Sequence, residues 1–302
     1  MRQAATAGRR GLGRERLLGL ALVAPSLAVF GFFIFWPLVR TFQLSTTGQD
    51  LFGRADRQVG LANFTAVLHD SQFGQVLAVT AGYVVLTVIP SILFALVLGL
   101  LLQNPLRGMR FLRSAFAMPF AYSVAAASVV FAALFNPAIG IANYLVTRLG
   151  FAPVQWLTQP GTALISVAIT TVWMNVGYNM LVILAGVGGV DEQLYEAARL
   201  DGAGTFRIAR SITVPLITPS LFFLVVVDTI ASLQSFGQIR VLTRGGPTGH
   251  TTTLVYWIYH TAFENGASDY GEGSAQAIVL LLVVILITAI QFGVLERRVI
   301  YR

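Results

Sequence analysis

The sequence predicts an all-α polytopic membrane protein with six transmembrane helices, and three observations carry that prediction. Apolar residues make up 56% of the chain and charged residues only 11%, where soluble domains carry about 25% charged residues. Six apolar windows recur, at 17–39, 76–102, 114–135, 162–190, 214–239 and 274–295; about 20 residues suffice to cross a bilayer as a helix. The 20 arginines fall unevenly on the segments between those windows, as a topology signal requires. The chain therefore reads as one membrane domain spanning 1–302.

Taken in order, the first window is a retained span and not a cleaved leader. Its length exceeds a signal-peptide core, and Trp36-Pro37 follows it where small-residue cleavage chemistry would stand. The second and third windows contain Pro90 and Pro119, which membrane helices tolerate. The fourth, 162–190, leads into a polar segment at 191–213. The fifth begins near Pro215, at a position a helix start accepts, and it holds the one charged residue inside any window, Asp228. The sixth ends in Glu296-Arg297-Arg298. The connections at 40–75, 136–161 and 240–273 read as loops on the opposite side from 191–213. The last of them carries the turn sequence Gly245-Gly246-Pro247. No internal repeat is visible.

Orientation follows from arginine placement. The tail before the first span, the 103–113 segment, the 191–213 segment and the C-terminus hold fourteen arginines, against six on the other side. Acidic residues divide six and six. Both termini and the 191–213 segment are expected in the cytoplasm. The net charge of +7 is then mostly a positive-inside signal, and no nucleic-acid partner is expected. The surrounding lipid is a partner by composition alone.

Some chemistries are excluded outright. There is no cysteine, so neither a disulfide nor a thiolate metal site can form. There is no lysine either, so the chain cannot build a Walker A loop. His69, His250 and His260 fit no zinc spacing and read as surface residues.

The charged 191–213 segment reads as a helix–turn–helix. Asp191 is an N-cap for a short helix through Asp201. Leu194, Ala197 and Ala198 form one small-residue stripe, and Gly202 stands at the C-cap. Thr205 is expected to cap a second helix, with Phe206, Ala209 and Ile212 on one face. The Ala-lined face admits close backbone approach, and Glu196 and Asp201 can pair with a partner's arginines. Pattern alone admits a docking element or a simple interfacial linker equally.

The literal residues go further. Glu196-Ala197-Ala198, three residues, Gly202, nine residues, then Ile212-x-Val214-Pro215 resembles the EAA motif of ABC importer permeases, with Val214 in place of Leu. Gly60-Leu61-Ala62-Asn63-Phe64 and Gly245-Gly246-Pro247 are similar to motifs of the carbohydrate-importer permeases. The C-terminal sequence from Ser274 to Tyr301 is most similar to A-type permeases of sn-glycerol-3-phosphate importers. The resemblance implies a type I importer permease fold in a bacterial inner membrane. It implies that Glu196, Ala197, Ala198, Leu200, Asp201 and Gly202 seat a coupling helix in an ATPase subunit. It also implies the partners: a second, different permease, an ATPase homodimer that binds ATP and Mg, and an extracytoplasmic substrate-binding protein. This chain would hold no cofactor and would not itself be an enzyme. The implied cargo is sn-glycerol-3-phosphate or a glycerophosphodiester such as glycerophosphocholine, with a trehalose- or maltose-like disaccharide as the alternative.

Polar groups inside the spans mark a candidate path. Asp228 lies about midway along the fifth window, where a charge costs about 2.5–3.5 kcal/mol on insertion scales. Ser232 and Ser235 follow on its face. In the fourth window Thr171, Asn175, Tyr178 and Asn179 share a face. Interhelical hydrogen bonding uses the same residue types and is the expected role of the Ser and Thr, whereas Asp228 is expected to face the translocation path. An ion-coupled secondary transporter would want paired intramembrane carboxylates or symmetric halves, and an intramembrane enzyme would want a Ser/His or metal-ligand cluster. Neither pattern is present in the sequence.

Overall fold

A computed structural model describes residues 18–48, 57–103, 107–264 and 269–299. The arginines at 2, 9, 10, 14, 16, 54 and 302, which enter the orientation argument, lie outside the described residues, as do Ile300 and Tyr301.

The described residues start with α1 (Leu18–Ser45), whose helical repeat widens to π over Gly31–Phe35. None of its most apolar stretch is buried. A two-residue antiparallel ladder follows, β1 (Thr47–Gly48) on β2 (Arg57–Gln58), with Thr47 opposite Gln58. Next come α2 (Ala62–His69) and α3 (Phe73–Leu102). Asn63 of the Gly60–Phe64 motif is a structural tie: its Nδ2 donates to the carbonyls of Ser45 and Thr47, both at 2.9 Å.

The third window does not form one span. It divides into α4 (Met109–Ala117), a 3₁₀ turn at Met118–Ala121, and α5 (Val124–Leu134), with a bend of 100°. Pro119 supplies no amide hydrogen to the turn. Tyr122 and Ser123 are extended, and the Ser123 hydroxyl accepts from Ala126 N at 3.2 Å to start the new helix. The break opens an apolar groove of about 1060 Å³ bounded by Pro90, Phe94, Phe116, Pro119, Tyr122 and Trp173. Pro90, by contrast, leaves α3 continuous.

The 136–161 connection contains α6 (Ile141–Arg148), pinned by Asn143, whose Oδ1 accepts from Val154 N and Trp156 Nε1 at 2.9 Å each. Then α7 (Pro160–Gly188) runs the full predicted length. It packs along α3 and against the broken third span. A Cβ on Gly177 would meet the Phe116 carbonyl oxygen at 2.4 Å and Ala117 Cα at 2.9 Å, so only glycine admits this backbone approach.

Beyond α7 lie α8 (Glu192–Leu200) and α9 (Thr205–Leu216). The fifth window is also bent: α9 turns by 67° at Ile217 into α10 (Thr218–Leu233). Pro215 therefore closes α9, and Pro219 stands in the first turn of α10. The helix stops at Leu233, short of the expected 239. Ser235 thus lies past its end and not on a continuous stripe.

The 240–273 segment is more than a surface loop. It holds part of α11 (Gly237–Leu242) and all of α12 (Leu254–Tyr259), which continues as π-helix to Glu264. Leu254 and Trp257 are buried, and Leu254 N donates to Thr80 Oγ1 of α3 at 3.0 Å. The last helix, α13 (Tyr270–Val294), packs on the second half of α1 and on α2 and α12. One apolar cluster at the α8 end joins Ala95, Met180, Ile183, Ile217 and Leu224. Another, at the far end, joins Tyr83, Phe131, Phe135, Ile239 and Tyr256.

Candidate functional site

The expected docking segment is built as its sequence dictates. Asp191 caps α8, its carboxylate accepting from Gln193 N at 3.0 Å. At the other end Ala203 N donates to Ala198 O at 2.9 Å and Gly202 N to Arg199 O at 3.0 Å, the paired bonds of a Schellman turn. That turn needs a left-handed residue, and Gly202 supplies it at φ +73°. The second helix differs from expectation: its cap is Gly204 and not Thr205, with no side-chain bond. The reason is that Thr205 already has helical geometry as the first residue of α9.

The segment presents apolar surface where a solvated linker would hide it. Leu200 is 89% and Phe206 79% exposed. Glu196, Ala197, Asp201 and Gly202 are exposed beside them, and Ala198 is half-buried. Neither Glu196 nor Asp201 has an ion pair among the described residues. Tyr195 turns the other way, toward a polar cavity of about 460 Å³ shared with Gln103, Arg113, Glu192 and Arg199. Arg113 holds this end of the bundle by donating to the Leu102 and Gln103 carbonyls, at 2.9 and 3.1 Å. It caps the C-terminus of α3, where a cation is favourable.

The interior polar residues form two linked groups among α3, α7 and α10. Asn179 Nδ2 donates to Asp228 Oδ2 at 2.6 Å, and both residues are buried. Asn179 Oδ1 is buried with no partner. Farther from α8, Ser232 Oγ lies 2.8 Å from Thr87 Oγ1. Tyr83 Oη lies 2.6 Å from Thr171 Oγ1 and 3.0 Å from Ser235 Oγ, which donates to Gln238 Oε1 at 3.0 Å. The Ser and Thr of the predicted stripes are thus interhelical hydrogen-bonding groups. Asn175 and Tyr178 lie on the same side of α7 and are only half-buried, with Tyr178 stacked on Phe120 at 5.1 Å. Tyr83 and Thr87 complete the network from α3. Their signal in the sequence is the spacing of Thr80, Tyr83, Thr87 and Ser91, all buried on one helical stripe.

Among the described residues no cluster of three His, Asp or Glu could hold a metal. His69, His250 and His260 are exposed.

Comparison with known proteins fits this architecture. The family described as binding-protein-dependent transport system inner membrane component matches residues 95–301, which include α8, α9 and the network's members on α7 and α10. The sn-glycerol-3-phosphate transport system permease protein UgpA of Agrobacterium fabrum is 38% identical over 290 residues, 95% of this chain and 97% of that protein. The protein of the same description from Escherichia coli O157:H7 is 35% identical over 292 residues, 96% of this chain and 97% of that protein. Among solved structures, a bacterial ABC transporter involved in import of the acidic polysaccharide alginate shares the fold, with TM-score 0.82 and 22% identity over 95% of this chain and 98% of that one. The extent of these matches shows the family: the chain belongs to the binding-protein-dependent transport system inner membrane components, the non-catalytic permeases of ABC importers.

Proposed function

We propose that this chain is the A-type permease of an importer for sn-glycerol-3-phosphate or glycerophosphodiesters such as glycerophosphocholine. The observation that carries this reading is the 34–38% identity, over nearly full length, to permeases described as serving sn-glycerol-3-phosphate transport. In this reading the chain forms half of the translocation path beside a second, different permease. Its termini face the cytoplasm.

ATP and Mg are bound by a separate ATPase homodimer, which receives Glu196, Ala197, Ala198, Leu200, Asp201 and Gly202. Support for that docking is the pair of exposed apolar anchors, Leu200 and Phe206, flanked by unpaired acidic groups. The path is proposed to run along the polar faces of α7 and α10, with Asn175 and Tyr178 toward the second permease and Asp228, Asn179, Ser232 and Ser235 behind them. The far end, around Thr248 and Leu61, is proposed to meet the extracytoplasmic binding protein.

The test is uptake by the assembled complex in proteoliposomes with its own binding protein. sn-Glycerol-3-phosphate, glycerophosphocholine and trehalose are compared side by side. Uptake of trehalose alone would reject the substrate assignment and leave the permease assignment standing.

A further inference from the structure

Phosphate cargo poses a charge problem that the polar interior does not solve. The helices that build the network, α3, α7 and α10, contain no basic residue, and the charge they do carry is Asp228. A phosphate oxygen entering there meets hydroxyls, amides and a carboxylate. Some cation must hold the anion at the mouth.

The end of the network remote from α8 supplies one. Arg240 lies on α11, two residues beyond Gln238, which closes the Ser235–Tyr83–Thr171 chain. Arg240 Nη1 contacts Glu264 Oε1, and this is the one ion pair among the described residues. The pair is not sealed: the side chains are 35% and 25% exposed. The guanidinium also lies over the Tyr259 ring, 5.0 Å from its centroid, and Phe236 packs on that ring at 4.8 Å. On the other side, Tyr256 Oη donates to the second oxygen of Glu264 at 3.3 Å. Tyr259 thus holds the guanidinium by its ring face, and Tyr256 hydrogen-bonds to both charged groups. A cation on an aromatic face keeps its position without its counterion, and the tyrosine hydroxyl partly satisfies the carboxylate once it is released.

We infer that Arg240 is the phosphate-recognition residue at the outer mouth of the path, and that Glu264 is a place-holding anion which the incoming phosphate group displaces. The inference rests on the reading above that the cargo carries phosphate. The exchange is chemically balanced. Guanidinium binds carboxylate and phosphate through the same bidentate geometry, and a phosphodiester monoanion replaces one negative charge by one. No bond is made or broken. With the anion held at Arg240, the uncharged glycerol end points toward the hydroxyl chain of Tyr83, Thr87 and Ser235, and the phosphate is kept away from Asp228. The other arginines described at this end are placed differently: Arg40 donates to Gln43 one turn along α1, and Arg244 lies past the end of α11, in the Gly245-Gly246 turn with a positive φ. Arg148 lies over Tyr144, next to it on α6, and Arg57 sits on the β2 strand.

The experiment uses the complete complex with saturating binding protein. It measures uptake of sn-glycerol-3-phosphate and glycerophosphocholine, together with thermal unfolding of the purified complex, for wild type, Arg240→Gln, Glu264→Gln and the double charge swap Arg240→Glu/Glu264→Arg. Arg240→Gln is expected to lower the maximal uptake of both solutes at least tenfold. Glu264→Gln is expected to raise uptake of both solutes at limiting solute, because the anion competing for Arg240 is the one removed. The swap restores the ion pair and the unfolding temperature but leaves uptake at least tenfold down. A purely structural pair predicts the opposite: both single changes damage alike, and the swap rescues uptake. Rescue by the swap, or wild-type uptake by Arg240→Gln, overturns the role of Arg240 while wild-type import of the two phosphates keeps the functional reading. If the wild-type complex imports neither solute, the functional reading falls first and the recognition role falls with it.

Discussion

Replacing Asp228 by asparagine should stabilise the permease, and the size of the gain follows from its surroundings. The carboxylate has one side-chain partner, Asn179 Nδ2 at 2.6 Å, and the neighbouring Asn179 Oδ1 is buried and unpaired. Asparagine at 228 keeps an oxygen for Nδ2 and adds an amide that can donate to Oδ1. An interhelical hydrogen bond in a membrane protein is worth about 0.6 kcal/mol on average. An ionised carboxylate at mid-span costs about 2.5–3.5 kcal/mol on insertion scales. The Asn variant should therefore gain up to about 3 kcal/mol, whereas Asp228→Leu removes the charge but leaves Asn179 Nδ2 unpaired, as Oδ1 already is, at about 1–3 kcal/mol for the newly unpaired group. In the expected order of thermal stability in detergent, Asn lies above both wild type and Leu. Transport is measured on the same preparations. If the carboxylate faces the path, Asp228→Asn alters the preference between glycerophosphocholine, with its cationic head, and glycerol-3-phosphate. An Asn variant that unfolds below wild type would refute the hydrogen-bond reasoning. An Asp228→Leu complex that transports every solute normally would refute the path assignment.

Three further outcomes are expected. Gly177→Ala forces a methyl group to 2.4 Å from a backbone oxygen that cannot move freely; it should destabilise the fold by about 1–3 kcal/mol, read as a lower yield of folded complex, and Gly74→Ala, which meets nothing within 4 Å, is the control. Glu196→Arg and Gly202→Ala should lower ATPase co-purification and coupled uptake with membrane insertion intact, the second because alanine at φ +73° costs about 1–2 kcal/mol; undiminished co-purification and uptake in both would remove the docking assignment. A photocrosslinker at Thr248 or Leu61 should capture the binding protein during turnover, whereas Asn63 is unsuitable because its side chain ties β1 to α2.

Much of this architecture is legible in the residues. The six apolar windows, Asp191 as a cap and Gly202 as a left-handed stop follow from hydropathy, side-chain length and backbone sterics, which are local. The bends are not local. Pro90 and Pro119 are alike in sequence, yet one lies in a continuous helix and the other beside a 100° break. What differs is the neighbour: α7 presses its backbone at Gly177 against residues 116–117, and Ser123 stands ready to cap a new start. The buried face of 254–264 is hidden for a similar reason. Its run Leu254–Tyr259 is too short to span, and its burial depends on Thr80 of a distant helix. Tyr83 and Thr87 escape a reading that looks for charges, because hydroxyls are common in spans and only their shared stripe marks them.

The position of α1 has a consequence for how the chain is made. Its principal packing partner is α13, the last helix, and residues 46–269 separate the two. At about 5–20 residues per second, the first helix waits on the order of 10–45 s in the bilayer before the last one emerges. During that interval lipid alone covers it, and its complete solvation by acyl chains, harmless in a membrane, is what makes the wait tolerable. A ribosome that stalls before α13 therefore leaves a helix tied only at its Ser45 end, by Asn63, and free along its length to pair with other unassembled spans. Quality control of such a chain would have to recognise the missing last helix from the state of the first.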